Sequence, residues 1–167
     1  TETLHYLHEL GEQTIDLEAL AHHKGSSFGA IGELPQPTTE HFENLIWHHL
    51  CGLDHDRPFW VEDESMMIGR VKIHEGFFAQ MRQAWLFFAE MPIEERAARL
   101  VIDYGRYPKE LLAEAIVRIG KRLGPQHAKA ALEALATDDL LTVALITLGY
   151  YDKTYSHGTS QRDQTRV

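Results

Sequence analysis

The sequence predicts an α/β fold, with a parallel sheet core over residues 1–91 and an all-helical section over residues 92–167. Three observations predict it. Through residue 91, short apolar runs alternate with helical patterns and end in polar residues. The continuous run Ala84-Trp85-Leu86-Phe87-Phe88-Ala89 has the composition of a central strand buried on both faces. Beyond Pro92 every apolar pattern has the helical period.

The elements follow in order. Leu4, Leu7 and Leu10 mark a helix over 1–10, with Gly11 placed to close it. Gln13 to Leu17 reads as a short strand, and 21–29 as a polar loop with two glycines. Pro35 and Pro37 interrupt regular structure, and Thr38 is placed to cap a helix. Phe42, Leu45, Ile46, His49, Leu50 and Leu53 share one face of that helix, which predicts a packed core role for His49. Pro58 to Val61 is a second strand, running into Glu62-Asp63-Glu64. A short helix over 77–83 leads to the predicted third strand at 84–89. Helices follow at 93–104, 111–123, 126–136 and 138–151, the last capped by Thr137, and 151–167 reads as loose. Trp47, Trp60 and Trp85 lie in apolar segments and read as core.

A chain of 167 residues with 44 % hydrophobic and 25 % charged residues fits one domain with a substantial core, or one domain with a small appendage. The apolar stretch near 140–151 is shorter than the roughly 20 residues a membrane span needs. No signal peptide opens the sequence, and the single cysteine, Cys51, suits a reducing compartment. A cytoplasmic protein without a membrane partner is expected; the oligomeric state is left open. The chain opens on Thr1 without a methionine, already in helical pattern, so upstream sequence is expected to be missing.

Net charge is −9, which argues weakly against nucleic acid as a partner. Its distribution says more: residues 1–64 hold 13 acidic and 2 basic residues, and residues 65–167 hold 12 acidic and 14 basic. That asymmetry allows a basic surface on the second part.

Phe59-Trp60-Val61-Glu62-Asp63-Glu64 has the form of a Walker B segment, an apolar strand delivering carboxylates beside phosphates and Mg²⁺. An acidic turn after a strand is the plainer reading. The partner pattern Gly-x-x-x-x-Gly-Lys-[Ser/Thr] is absent. Thr1, opening the first helix, stands where the last residue of a phosphate loop would stand. Thr1, Glu62, Asp63 and Glu64 are therefore the phosphate- or nucleotide-binding candidates in a P-loop NTPase-like core. Thr1 and Asp63 are the candidate Mg²⁺ ligands.

Lys24, Gly25, Ser26 and Ser27 combine a cation, hydroxyls and backbone donors and are the substrate candidates, as against an ordinary polar loop. Arg96, Arg99, Arg118, Lys121 and Arg122 are the tRNA or phosphate candidates, as against a solvated face. His22, His23, His41, His48 and His49 lack the spacing of a zinc site. Cys51 has no cation close in sequence before Arg57 and reads as structural.

Three blocks together carry a resemblance. They run from Asp16 through His22-His23-Lys24-Gly25-Ser26-Ser27 to Gly29, from Gln36 to Leu45, and from Glu62-Asp63-Glu64-Ser65 to Gly69. Weaker matches continue through Arg96, Arg99, Lys121-Arg122-Leu123-Gly124 and Tyr150 to Tyr155. The chain thereby resembles the tRNA 2-selenouridine synthase family over nearly its whole length. That resemblance implies a P-loop domain whose family joins it to an upstream rhodanese-like domain carrying the catalytic cysteine. It implies replacement of sulfur by selenium in wobble 2-thiouridine of tRNA. Selenophosphate and geranyl diphosphate would be co-substrates, with a geranylated intermediate, and Mg²⁺ and a nucleotide are possible ligands. No catalytic residue is expected in this chain, and alone it is expected to be inactive. The family typically has Arg where Lys24 and Met66 stand. Arg70 is the candidate to replace the charge that Met66 lacks. A small-molecule kinase and a non-catalytic tRNA-binding module are the alternatives.

Overall fold

The computed structural model describes residues 2–162 and 164–166. The chain divides into two compact units, Thr1–Arg82 and Gln83–Val167.

In the first unit, α1 (Glu2–Glu9) ends at Gly11, whose φ of +88° lets the chain reverse where a side-chain-bearing residue would be strained. Strand β1 (Gln13–Ile15) follows, then the one-and-a-half-turn helix α2 (Leu17–Ala21) and the longer α3 (Thr39–Cys51). Thr38 caps α3 as expected, its hydroxyl accepting from the His41 N–H at 3.2 Å. Strand β2 (Phe59–Val61) pairs parallel with β1, Thr14 opposite Trp60. Gln13 fixes that pairing: its Nε2 donates to the Asp54, Arg57 and Pro58 carbonyls and its Oε1 accepts from the Asp54 N–H. A hairpin of β3 (Met67–Ile68) and β4 (Val71–Lys72) precedes α4 (Glu75–Gln83). Its core is Ile15, Leu17, Phe42, Ile68, Val71 and Ile73, all fully enclosed. Each such side chain contributes about 1.5–3 kcal/mol.

The second unit holds α5 (Ile93–Tyr104), α6 (Lys109–Leu123), α7 (Pro125–Ala136) and α8 (Leu140–Ser160), then a 3-10 turn at Gln164–Arg166. α5 packs on α8 through Ala97, Ala144 and Leu148, and α7 packs on both α6 and α8. The small alanines bring the α5 and α8 backbones close. Arg96 clamps the same pair by gripping Asp152 with both terminal nitrogens, at 2.6 and 2.8 Å.

Several expectations need correction. The fold is mixed α/β, but the parallel sheet has two strands among the described residues, because 84–89 is not a strand. Trp85, Phe87 and Phe88 in that run are 68 %, 70 % and 59 % exposed. The Leu86 N–H instead meets the Arg166 carbonyl at 2.8 Å. Trp47 is also exposed, since Phe42 and Ile46 define the buried stripe of α3 and position 47 lies about 100° off it. His49 is exposed, while its neighbour Leu50, one turn on from Ile46, is the residue of the last turn that packs on the core. Cys51 is exposed and free. Asp139, not Thr137, caps α8, its Oδ1 accepting from the Thr142 N–H at 3.0 Å. The stretch 151–160 continues α8 rather than loosening. Among the described residues no helix is long and apolar enough to cross a membrane.

Candidate functional site

The site is built where β1 and β2 end. Parallel strands finish on the same side, so Asp16 follows β1 and Glu62 follows β2 side by side. Asp16 caps α2, accepting from the Ala19 N–H at 2.7 Å. Glu62 Oε2 accepts from the Leu17 N–H at 2.9 Å, covering a second open amide of the same helix turn. Helix α1 runs antiparallel to β1. His5 in its first turns hydrogen-bonds with Asp16 at 2.8 Å, and His8 further on meets Thr14 at 3.3 Å. The N-terminal end of α1 therefore lies at the carboxyl ends of the strands, beside the acids. Thr1 itself is outside the described residues.

The three acids after β2 do different things. Burial first, and the Asp16 carboxylate second, push Glu62 up to about 8. Burial opposes ionisation of Asp16 as well. The Ala19 N–H, the Glu62 carboxyl and His5 outweigh it and hold Asp16 below its ordinary value. Asp16 is thus the ionised member of the pair and Glu62 the protonated one. Glu64 is 9 % exposed, and burial followed by the Glu18 carboxylate push it up to about 7. Asp63 is half-buried and faces Arg82 of α4 at 3.4 Å.

The loop after α2 closes on these acids. Lys24 N–H donates to the Gly29 carbonyl at 3.0 Å, and Gly29 N–H to the Ser26 carbonyl at 2.9 Å, folding residues 24–29 into a tight ring. Gly25 has φ +63°, and a Cβ there would fall on the Glu64 carboxyl oxygens. The absent side chain lets the ring backbone lie against the buried acid. Ser26 and Ser27 are half-buried in the ring. Lys24 Nζ pairs with Glu33 at 3.4 Å.

Gln36 holds the ring's base to the hairpin. Its Nε2 donates to the Ala21 and Ile68 carbonyls, each at 3.0 Å, and its Oε1 accepts from the Arg70 N–H at 2.8 Å. Gly69, at φ +60°, makes the turn that brings Arg70 round, and a Cβ there would strike Gln36 and His23. The Arg70 side chain stands exposed at the hairpin tip. Gln36→Ala is expected to cost about 2–3 kcal/mol, because two inward carbonyls lose their donors. Thermal melting of Gln36→Ala and Gln36→Glu checks this. Gln36→Glu keeps the acceptor only and should fall no higher than halfway back to the wild type.

The first unit thus brings Lys24, Gly25, Ser26, Ser27, Glu62, Asp63 and Glu64 to one end of its sheet. Sequence reasoning assigned no site role to Asp16, Glu18 or Gln36, and weighed His23 only as a zinc ligand. Asp16 carried a readable signal, an Asx cap ahead of Leu-Glu-Ala-Leu-Ala. The basic candidates lie in the second unit. Arg99 is exposed on α5, while the Arg96 terminal nitrogens are taken by Asp152. Arg118, Lys121 and Arg122 are exposed on α6, the last two in its final turn, where cations complement the helix dipole.

Among the described residues, no three His, Cys, Asp or Glu side chains are placed together to hold a metal. Glu62 and Glu64 fit Mg²⁺ poorly: Glu62 is pushed up to about 8 and its Oε2 is taken by the Leu17 N–H, and Glu64 is buried against the ring at Gly25. Asp63 fits as the single carboxylate that Mg²⁺ often takes alongside water and phosphate oxygens.

Comparison with known proteins bears on this geometry. A family described as the tRNA 2-selenouridine synthase AAA domain matches residues 1–167. Three relatives are each named tRNA 2-selenouridine synthase. That of Shewanella loihica is 34 % identical over 181 residues, covering 87 % of this chain and 47 % of the relative. That of Shewanella woodyi is 34 % identical over 185 residues, covering 91 % and 50 %. That of Shewanella piezotolerans is 38 % identical over 180 residues, covering 86 % and 48 %. The chain spans about half the length of these relatives. No solved structure matches.

Proposed function

The chain belongs to the family of tRNA 2-selenouridine synthase AAA domains, and from that membership we propose that it is the phosphate- and tRNA-binding portion of a tRNA-modifying transferase. In this reading the whole enzyme is cytoplasmic and replaces sulfur by selenium in wobble 2-thiouridine. It uses selenophosphate, with geranyl diphosphate supplying a geranylated intermediate. A rhodanese-like domain with the reactive cysteine precedes this one. The core is of the P-loop type.

One observation carries the reading: the first turns of α1, the carboxyl ends of β1 and β2 and the 24–29 ring converge on one end of the sheet. Helix N-termini and glycine-rich rings present N–H groups to anions. Both co-substrates carry phosphate. Lys24 supplies a cation beside the ring, and Arg70 a second at the hairpin tip. Asp63, with Thr1, would hold Mg²⁺, which supplies charge neutralisation of phosphate oxygens. Glu62 and Glu64 brace α2 and the ring. Arg99, Arg118, Lys121 and Arg122, with Arg96 fixed against Asp152, face tRNA from the helical unit.

The test uses a full-length protein carrying this domain. Asp63→Asn is expected to lower selenium incorporation into tRNA at least tenfold, the scale of losing one charge-stabilising group, with tRNA affinity unchanged. Wild-type incorporation by that variant overturns the phosphate-site assignment. The 167-residue chain alone should bind tRNA with salt-dependent affinity and transfer no selenium.

A further inference from the structure

The helical unit contains a cavity of about 1110 Å³, lined by none of the residues assigned above except Arg96. Its floor is one face of α8. Asp152, Tyr155, Ser156, Thr159 and Ser160 stand at i, i+3, i+4, i+7 and i+8 and all line it. The first turn of α5 gives Arg96, and the coil 88–92 gives Phe88 and Met91. Phe88 is 59 % exposed and Tyr155 55 %, so two aromatic rings stand open to solvent on the same cavity.

We infer that this cavity receives an unstacked nucleobase from an RNA loop. The inference rests on the tRNA-handling reading above. A base has two apolar faces and a polar edge, and the lining has that division. Phe88 and Tyr155 offer ring faces for stacking. Ser156 and Thr159 offer hydroxyls, which donate and accept. Arg96 closes one side of the cavity, its terminal nitrogens held by Asp152. Glu90, also lining the cavity, accepts from an exocyclic amine. Charge around it suits a nucleotide chain. Arg99 lies one turn beyond Arg96 and Lys153 is next to Asp152, both exposed, placed for the phosphates flanking an inserted base. A fully paired duplex keeps its bases stacked and has none to insert.

The experiment measures affinity of the 167-residue chain for an RNA stem-loop and for a duplex of the same stem. The wild type is expected to bind the stem-loop more tightly. Tyr155→Ala and Phe88→Ala should each lower stem-loop affinity about tenfold or more and leave duplex affinity unchanged. Tyr155→Phe should retain wild-type affinity, since the ring is kept. Melting temperatures equal to wild type show that the variants fold, which the exposure of both rings leads one to expect. Unchanged stem-loop affinity in both alanine variants overturns this inference and leaves the function proposed above standing. Failure of the wild type to bind either RNA overturns tRNA handling by this chain, and the cavity assignment with it.

Discussion

Gly25→Ala is expected to destabilise the first unit by about 3 kcal/mol. Two effects act together. At φ +63° an alanine pays the left-handed penalty of about 1–2 kcal/mol. Its Cβ also lands on the Glu64 carboxyl. Glu64 cannot simply swing aside, because it is 9 % exposed and its carboxyl interacts with that of Glu18. Gly11→Ala separates the two effects. Gly11 has φ +88° but nothing within 4 Å of its added Cβ, so it should cost about 1 kcal/mol only. Urea unfolding followed by tryptophan fluorescence measures both, in a Trp85→Phe background so that the signal comes from Trp47 and Trp60. Equal losses for the two substitutions would mean that the ring does not press on Glu64.

That contact shows where the sequence was readable and where it was not. Helices α3 and α5 to α7 announce themselves through period and punctuation: Thr38 before α3, Pro92 before α5, Gly124-Pro125 between α6 and α7. Strands β1 and β2 were legible as apolar stubs running into polar residues. α2 was not, because five residues are too few to show a period. The hairpin was not either, with two residues on each side of Gly69-Arg70. The run at 84–89 misled for a definite reason. Composition gives a strand its preference, but pairing gives it existence, and the backbone of Leu86 bonds to Arg166 instead. In the site, the acids and the glycine ring stood out by residue type. Their partners Asp16 and Gln36 did not, because an aspartate and a glutamine acquire their roles only from the carbonyls and amides that folding brings to them.

Raising the pH is expected to weaken the first unit, and Glu62→Gln to remove much of that weakening. In the unfolded chain Glu62 titrates near its ordinary 4.5; folded, it is pushed up to about 8 by burial and by Asp16. The folded state therefore holds a proton that the unfolded state has lost. The associated stability is complete below about 4.5 and disappears as pH rises through about 8. Glu64 acts in the same direction over a narrower window, ending near 7. Asp16, held below its ordinary value, contributes above that value and is lost only in stronger acid, so it does not offset the trend. Glutamine copies the protonated acid. Its oxygen keeps the Leu17 N–H, and its amide keeps a donor toward Asp16 at every pH. Urea midpoints at about pH 5 and about pH 8.5 check this. The variant should match wild type at the lower pH and exceed it at the higher. A variant that loses as much stability as wild type between the two would show that Glu62 is ionised in the fold. The sign matters for the proposed ligand. Near pH 7 Glu62 is mostly uncharged and Glu64 about half so, which lowers the negative charge that an incoming phosphate meets after β2.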